Sequence, residues 1–190
     1  MSFAEAASFL ASYIRHPRVV SSVIPTSKTS ARAIAALVAA RAGLVVVEYG
    51  PGSGPVSAAV LERLGPDGRL ILIEMTPALA AGLSRRFAHD ARVDVVEGDA
   101  VDVEAILAAR GLTHADYVLC SIPLSLIDPP VRERILTATA QLLGPQGRFI
   151  VFLFRPKATA SHLAPHFPRT APPRLLPWNI PPLWLFDGRI

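Results

Sequence analysis

Residues 45–55 read VVVEYGPGSGP. A run of valines ends in a carboxylate, Glu48, and three glycines follow at alternate positions, Gly50, Gly52 and Gly54. A short continuous apolar run closed by turn residues marks a strand buried on both faces. Glycine accepts positive φ and has no Cβ, so a turn built this way lets backbone approach a ligand. The segment after it, PVSAAVLERLG, has helical periodicity. The stretch is therefore a strand–turn–helix unit with a turn shaped for close approach.

The same unit repeats along the chain. Strands are expected in RLILIEM, RVDVVEG, ADYVLCSI and RFIVFLF, and helices in PALAAGLSRRFA, DVEAILAARG and PVRERILTATAQLLG. Five apolar strands alternating with helices predict an α/β fold whose parallel sheet is covered on both faces. Upstream, residues 3–14 have the spacing of an amphipathic helix that Pro17 ends, and Ser27 or Thr29 is placed to cap a second helix running towards Gly43. Downstream, the segment from Pro156 to Pro182 is rich in proline, which argues against helix there. Its last part, RLLPWNIPPLWLFDGR, reads as two extended pieces around a proline turn, an antiparallel hairpin added to the sheet edge. The expectation is one domain over 1–190, with N-terminal helices in 1–41, a core in 42–155 and a tail with hairpin in 156–190.

Hydrophobic residues make up 51% and charged residues 18% of the 190, a globular profile. Cys120 is the single cysteine, so neither an internal disulfide nor a cysteine-cluster metal site is available, and no metal is expected. The net charge of +4 is unevenly spread. Residues 1–41 hold five Lys/Arg against Glu5, residues 42–147 hold eight against thirteen Asp/Glu, and residues 148–190 hold six against Asp187. Basic ends around an acidic middle suit an anionic partner, lipid headgroup or nucleic acid.

The glycine turn excludes two phosphate-binding readings. A P-loop requires a Lys-Ser/Thr pair that is missing here, and the dinucleotide fingerprint requires a glycine where Pro55 stands. Two further acids close later strands: Glu74 at the end of RLILIE and Asp99 in EGDA. Glu48, the glycine turn, Glu74 and Asp99 in that order resemble the class I S-adenosylmethionine-dependent methyltransferases, and the resemblance covers most of the chain. It implies a Rossmann-like fold and S-adenosyl-L-methionine as cofactor. The turn of Gly50, Gly52 and Gly54 would run beside the methionine and ribose, with Glu48 in the same site. Glu74 would hold both ribose hydroxyls, since a carboxylate offers two acceptors to two O–H donors. Asp99 would meet the adenine amino group, with Met75 and Ala100 beside these acids.

After the fourth strand comes SIPL, Ser121, Ile122, Pro123 and Leu124. It resembles the acceptor element of methyltransferases that act on nitrogen, and the resemblance places Ser121 at the cofactor as well as at the acceptor. Acceptors there hold the N–H groups and aim the nitrogen lone pair at the methyl, and proline stiffens the turn. Base methylases carry an aromatic ring at the fourth position, which stacks on a flipped base; Leu124 does not stack and suits a small amine.

The two ends carry a narrower resemblance, to the bacterial phospholipid N-methyltransferases. It rests on Phe9, Leu10, Tyr13, Ile14, Pro17, Pro25 and Ser27 at the start and on Asn179, Pro181 and Pro182 at the end, with the motif residues between. It implies methylation of phosphatidylethanolamine or a related aminolipid towards phosphatidylcholine by a peripheral enzyme on the cytoplasmic face of the membrane. Phe3, Phe9, Leu10, Arg15 and Arg18 would contact an anionic membrane, and Tyr13 and His16 would face the substrate, with Tyr13, His16 and Ser121 as the candidates for the base, or water in their place. Two alternatives stay open: an RNA adenine dimethylase, against which Leu124 argues, and a cofactor-binding membrane module without catalysis.

Overall fold

The computed structural model describes residues 26–153 and 156–190. The N-terminal amphipathic helix expected at 3–14, with Phe3, Phe9, Leu10, Tyr13, Arg15, His16 and Arg18, lies outside the described residues. Helix α1 spans Lys28–Ala35, and the units that follow are β1 (Val45–Tyr49), α2 (Pro55–Leu61), β2 (Arg69–Glu74), α3 (Pro77–Phe87) and β3 (Val93–Glu97). Then come α4 (Val103–Ala108), β4 (Ala115–Cys120), α5 (Pro129–Leu142) and β5 (Leu143–Leu153). The tail supplies α6 (Pro156–Leu163), β6 (Arg174–Leu176) and β7 (Leu183–Gly188).

The seven strands form one sheet in the order β3-β2-β1-β4-β5-β7-β6. The first five are parallel, and β7 pairs antiparallel with both β5 and β6. The expected hairpin is present, and it lies beside β5. Alternate strand residues enter two cores, as a pleated strand requires. Val47, Ile71, Val118, Phe149 and Phe186 pack on one face with residues of α4 and α5. Val46, Leu70, Leu72, Leu119 and Ile150 pack on the other with residues of α1, α2 and α3.

Two expectations about helices are corrected. Residues 156–163 are helical, although the proline content of the tail argues against it. Proline at the first position of a helix gives up an N–H that has no partner there anyway, so Pro156 starts this helix and does not break it. Helix α1 is shorter than its apolar pattern. Ser27 caps it by accepting from the Ser30 N–H at 3.2 Å, but it stops at Ala35. Beyond that point Arg148 donates to the Leu37 carbonyl at 2.6 Å and Arg63 to the Val38 carbonyl at 3.1 Å. Side chains from other elements thus take up carbonyls that a longer helix would have used.

Candidate active site

The strand order reverses at β1, which has β2 on one side and β4 on the other. In an open α/β sheet a ligand sits beyond the carboxyl ends of the strands at such a switch point. The glycine turn leaves β1 at this place, and Ser121 leaves β4 next to it. Gly50, Gly52 and Gly54 have φ of 65, 60 and 79°, a region that residues with a Cβ avoid. A Cβ on Gly50 would stand 2.6 Å from Ile122 Cγ2, and one on Gly54 2.8 Å from Leu83 Cδ2. A Cβ on Gly52 would meet nothing within 4 Å. Two glycines therefore allow tight packing, while the middle one faces open space above the turn.

Glu74 ends β2 and is buried. Its carboxylate accepts from the Gly52 N–H at 3.1 Å and from the Thr76 N–H at 2.9 Å. Each oxygen keeps an acceptor site, because a carboxylate oxygen has two lone pairs. The same side chain thus fixes the glycine turn and offers acceptors beside it. Met75, the next residue, is 70% exposed, an apolar surface at the strand end available to a flat ring. Asp99 follows β3 and accepts from the Val101 N–H at 3.1 Å, capping the short turn Ala100–Asp102, and Ala100 is buried beneath it.

Glu48 differs from these acids. It is fully enclosed under α2, where the Ser57 hydroxyl donates to it at 2.6 Å. Burial pushes its pKa up to about 7, the Ser57 hydrogen bond opposes the shift, and the nearby charge of Glu74 adds to it. Glu48 therefore supports the turn from below and makes no exposed wall of the site.

Ser121 lies across the floor. Its hydroxyl donates to the Tyr49 carbonyl at 3.1 Å and also approaches the Gly50 carbonyl. That use of the hydrogen leaves oxygen lone pairs to accept an N–H. Ile122 packs against the larger core and over Gly50. Pro123 precedes the one-turn helix Leu124–Leu126. Leu124 stands elsewhere than expected: it is fully buried in the core, so its side chain packs the fold and does not line an acceptor mouth. Cys120 is buried and its thiol is pushed up to about 12, which makes it no nucleophile.

Two parts of this edge have no counterpart among the sequence expectations. Helix α6 packs against the turn Leu124–Leu126, and Arg132 of α5 donates to the Ile127 carbonyl at 3.2 Å. Together they brace the segment after Ser121. The signal for α6 is proline followed by a helix-compatible run, KATASHL. Among the described residues there is no group of three or more His, Cys, Asp or Glu placed to hold a metal, and no helix long and apolar enough to cross a membrane. A separate cleft lined by Glu104, Ala108, Gly111, Leu112 and Gln141 lies at the opposite, amino-terminal edge of the sheet, away from these residues.

The edge provides what an adenosyl group bearing a sulfonium needs: open space over Gly52, acceptor capacity on Glu74, an exposed apolar side chain at Met75 and a carboxylate at Asp99. Comparisons with known proteins agree. Residues 46–147 match the methyltransferase-domain family. The ornithine lipid N-methyltransferase of Singulisphaera acidiphila is 34% identical over 141 residues, 74% of this chain and 73% of that protein. The ribosomal RNA small subunit methyltransferase A of Geobacter sulfurreducens is 33% identical over 115 residues, but these are 60% of this chain and only 40% of that protein. Among solved structures, the 1,6-didemethyltoxoflavin-N1-methyltransferase of Burkholderia thailandensis, bound to S-adenosylhomocysteine, superposes with a TM-score of 0.65 at 20% identity, covering 97% of this chain and 86% of that one. The N-methyltransferase NodS of Bradyrhizobium japonicum, also with S-adenosylhomocysteine, gives 0.69 at 12% identity, covering 85% and 84%. With the fold, the glycine turn and these matches in agreement, the chain belongs to the S-adenosylmethionine-dependent methyltransferases of class I, and S-adenosylmethionine is its cofactor.

Proposed function

We propose that the chain transfers methyl groups to the amine of an aminolipid headgroup, with phosphatidylethanolamine and ornithine lipid as the acceptors to test first. The observation that carries this reading is the similarity to a lipid N-methyltransferase across 74% of the chain, which extends beyond the 46–147 segment shared with methyltransferases at large. Glu74 would take the two ribose hydroxyls, Met75 would cover the adenine, Asp99 would meet its amino group, and Gly52 would let the backbone pass beside the ribose and methionine. Bound S-adenosylmethionine supplies an electrophilic methyl on a sulfonium.

Ser121 and the carbonyls around it accept N–H bonds from the headgroup amine, which must be neutral to attack. With those N–H groups held, the lone pair is left free to take the methyl that bound S-adenosylmethionine would supply, S-adenosylhomocysteine being the leaving group, and the surplus proton leaves the nitrogen to water. Residues 1–18 would supply a basic, aromatic contact with the membrane through Phe3, Phe9, Leu10, Arg15 and Arg18, and Tyr13 and His16 are that segment's candidates for acting on the acceptor.

The test is transfer of labelled methyl in parallel to phosphatidylethanolamine vesicles, ornithine-lipid vesicles and total RNA. Label in lipid is expected. Label as methyladenine in RNA would transfer the chain to the RNA-modifying relatives it also resembles, and label in neither would remove the lipid reading. Ser121→Ala should lower the rate at least about tenfold and change S-adenosylhomocysteine affinity less than about threefold, since its free acceptor faces the amine; unchanged turnover would remove Ser121 from that role.

A further inference from the structure

The tip of the hairpin carries an exposed apolar cap on the same sheet edge as the site. In the β5–β7 pair Trp184 stands opposite Leu153, the last residue of β5, and in the hairpin Leu176 stands opposite Leu183. Residues 177–182 therefore project from the edge where β1, β2 and β4 end. Trp178 is 61% exposed, Ile180 70% and Leu175 45%, and Pro177 and Pro182 are exposed between and beside them. No residue from 175 to 186 carries a charge.

The one amide in this turn points the other way. Asn179 is buried. Its Oδ1 accepts from the Ser27 N–H at 2.8 Å and its Nδ2 donates to the Pro181 carbonyl at 3.1 Å. The tip is thus tied to the start of α1 through its polar side chain, while its indole and isoleucine face outward. Its prolines fix the backbone, so little ordering is left to be lost on contact. Exposed Lys28 adjoins Ser27, and exposed Arg174 begins β6.

An uncharged aromatic tip flanked by cations matches an anionic bilayer surface. Indole favours the headgroup zone, an aliphatic side chain the acyl boundary, and the cations the lipid phosphates. We infer that residues 177–182, with Lys28, form a wedge that seats the cofactor edge of the sheet on an anionic lipid bilayer. The choice of a bilayer as partner rests on the lipid-acceptor reading; the exposed tip does not.

The full chain carrying Trp184→Phe, which leaves Trp178 as the single tryptophan, is mixed with phosphatidylglycerol–phosphatidylcholine vesicles. Trp178 emission should shift to the blue and be quenched by brominated acyl chains. Adding Trp178→Ser and Ile180→Ser to the natural chain should weaken vesicle partitioning at least about tenfold while S-adenosylhomocysteine affinity and melting temperature hold. Lys28→Glu should weaken binding to anionic vesicles only. An unquenched Trp178, unchanged partitioning of the double variant, or a tip-dependent self-association without any vesicle effect would each overturn the wedge. Methyl transfer to a short-chain aminolipid below its micelle concentration separates the two readings. If the double variant keeps that transfer, the acceptor stands whatever the tip does; if the natural chain seats by its tip yet methylates no lipid, the acceptor reading fails alone.

Discussion

Glu48→Gln tests the electrostatics beneath the glycine turn. Glu48 is enclosed between β1 and α2 with one hydroxyl donor, Ser57. Burial raises its pKa from 4.5 to about 7. Between those two values the folded state holds a proton that the unfolded chain has released. Stability therefore falls as pH rises through this window and levels off above it. A pKa raised by one corresponds to about 1.4 kcal/mol, so ionising Glu48 in the fold costs about 3.5 kcal/mol at most. Glutamine keeps the size and the acceptor for Ser57 but does not titrate. The difference in unfolding free energy between the two proteins, measured in urea at pH 5 and pH 8, should shift by about 2–3 kcal/mol in favour of Glu48→Gln at the higher pH. A difference that stays constant within about 0.5 kcal/mol would mean that Glu48 is already ionised in the folded state at pH 5, and the burial argument would fail.

Glu74→Ala removes both the acceptors offered to the ribose and the anchor of the Gly52 N–H. Calorimetric titration should show S-adenosylhomocysteine affinity falling at least about tenfold in a protein that still folds. Gly50→Ala and Gly52→Ala make an informative pair. Both incur the left-handed penalty of about 1–2 kcal/mol, but only Gly50→Ala drives a Cβ onto Ile122, so its melting temperature should fall further, whereas Gly52→Ala should lose more affinity than stability. Asn179→Ala breaks the tie between the hairpin tip and the start of α1. It should lower unfolding free energy by about 1–3 kcal/mol and raise hydrogen exchange at residues 177–182.

What the sequence discloses follows from the range of the forces involved. Four of the five parallel strands are legible because burial on both faces demands unbroken apolar runs such as VVVEY and RLILIE, whereas β3, half-buried at the sheet edge, is legible from the valines of VDVVE. The glycine turn is legible because positive φ selects glycine at the site itself. The hairpin is legible because prolines confine it to an edge. What stays hidden depends on partners distant in the chain. Nothing local to Leu37 tells that Arg148 will take its carbonyl, so the apolar pattern of α1 outruns the helix. Nothing local to Leu124 tells that α5 and α6 will close over it, so a core residue reads as a site residue. The dual use of Glu74, and the proton held on Glu48 by enclosure with Ser57, likewise arise only once β1, β2 and α2 are assembled. Helix α6 is a different case, since Pro156 is visible in the sequence and a helix start is the one helical position that accepts proline.

Arg148 has consequences for the order in which the molecule is made. Its guanidinium, on β5, holds Asp187 of β7 at 2.6 Å, takes the Leu37 carbonyl beyond α1, and lies over the Tyr117 ring of β4. Until β7 docks, β5 keeps one row of its amides and carbonyls unpaired and Arg148 lacks its carboxylate. An open apolar strand edge of this kind is a template for another nascent chain. The parallel half of the sheet is thus exposed to misassembly until the hairpin has docked. Substitutions that slow docking of the hairpin prolong the hazard, and they should reduce soluble yield more than their effect on the finished protein's stability accounts for.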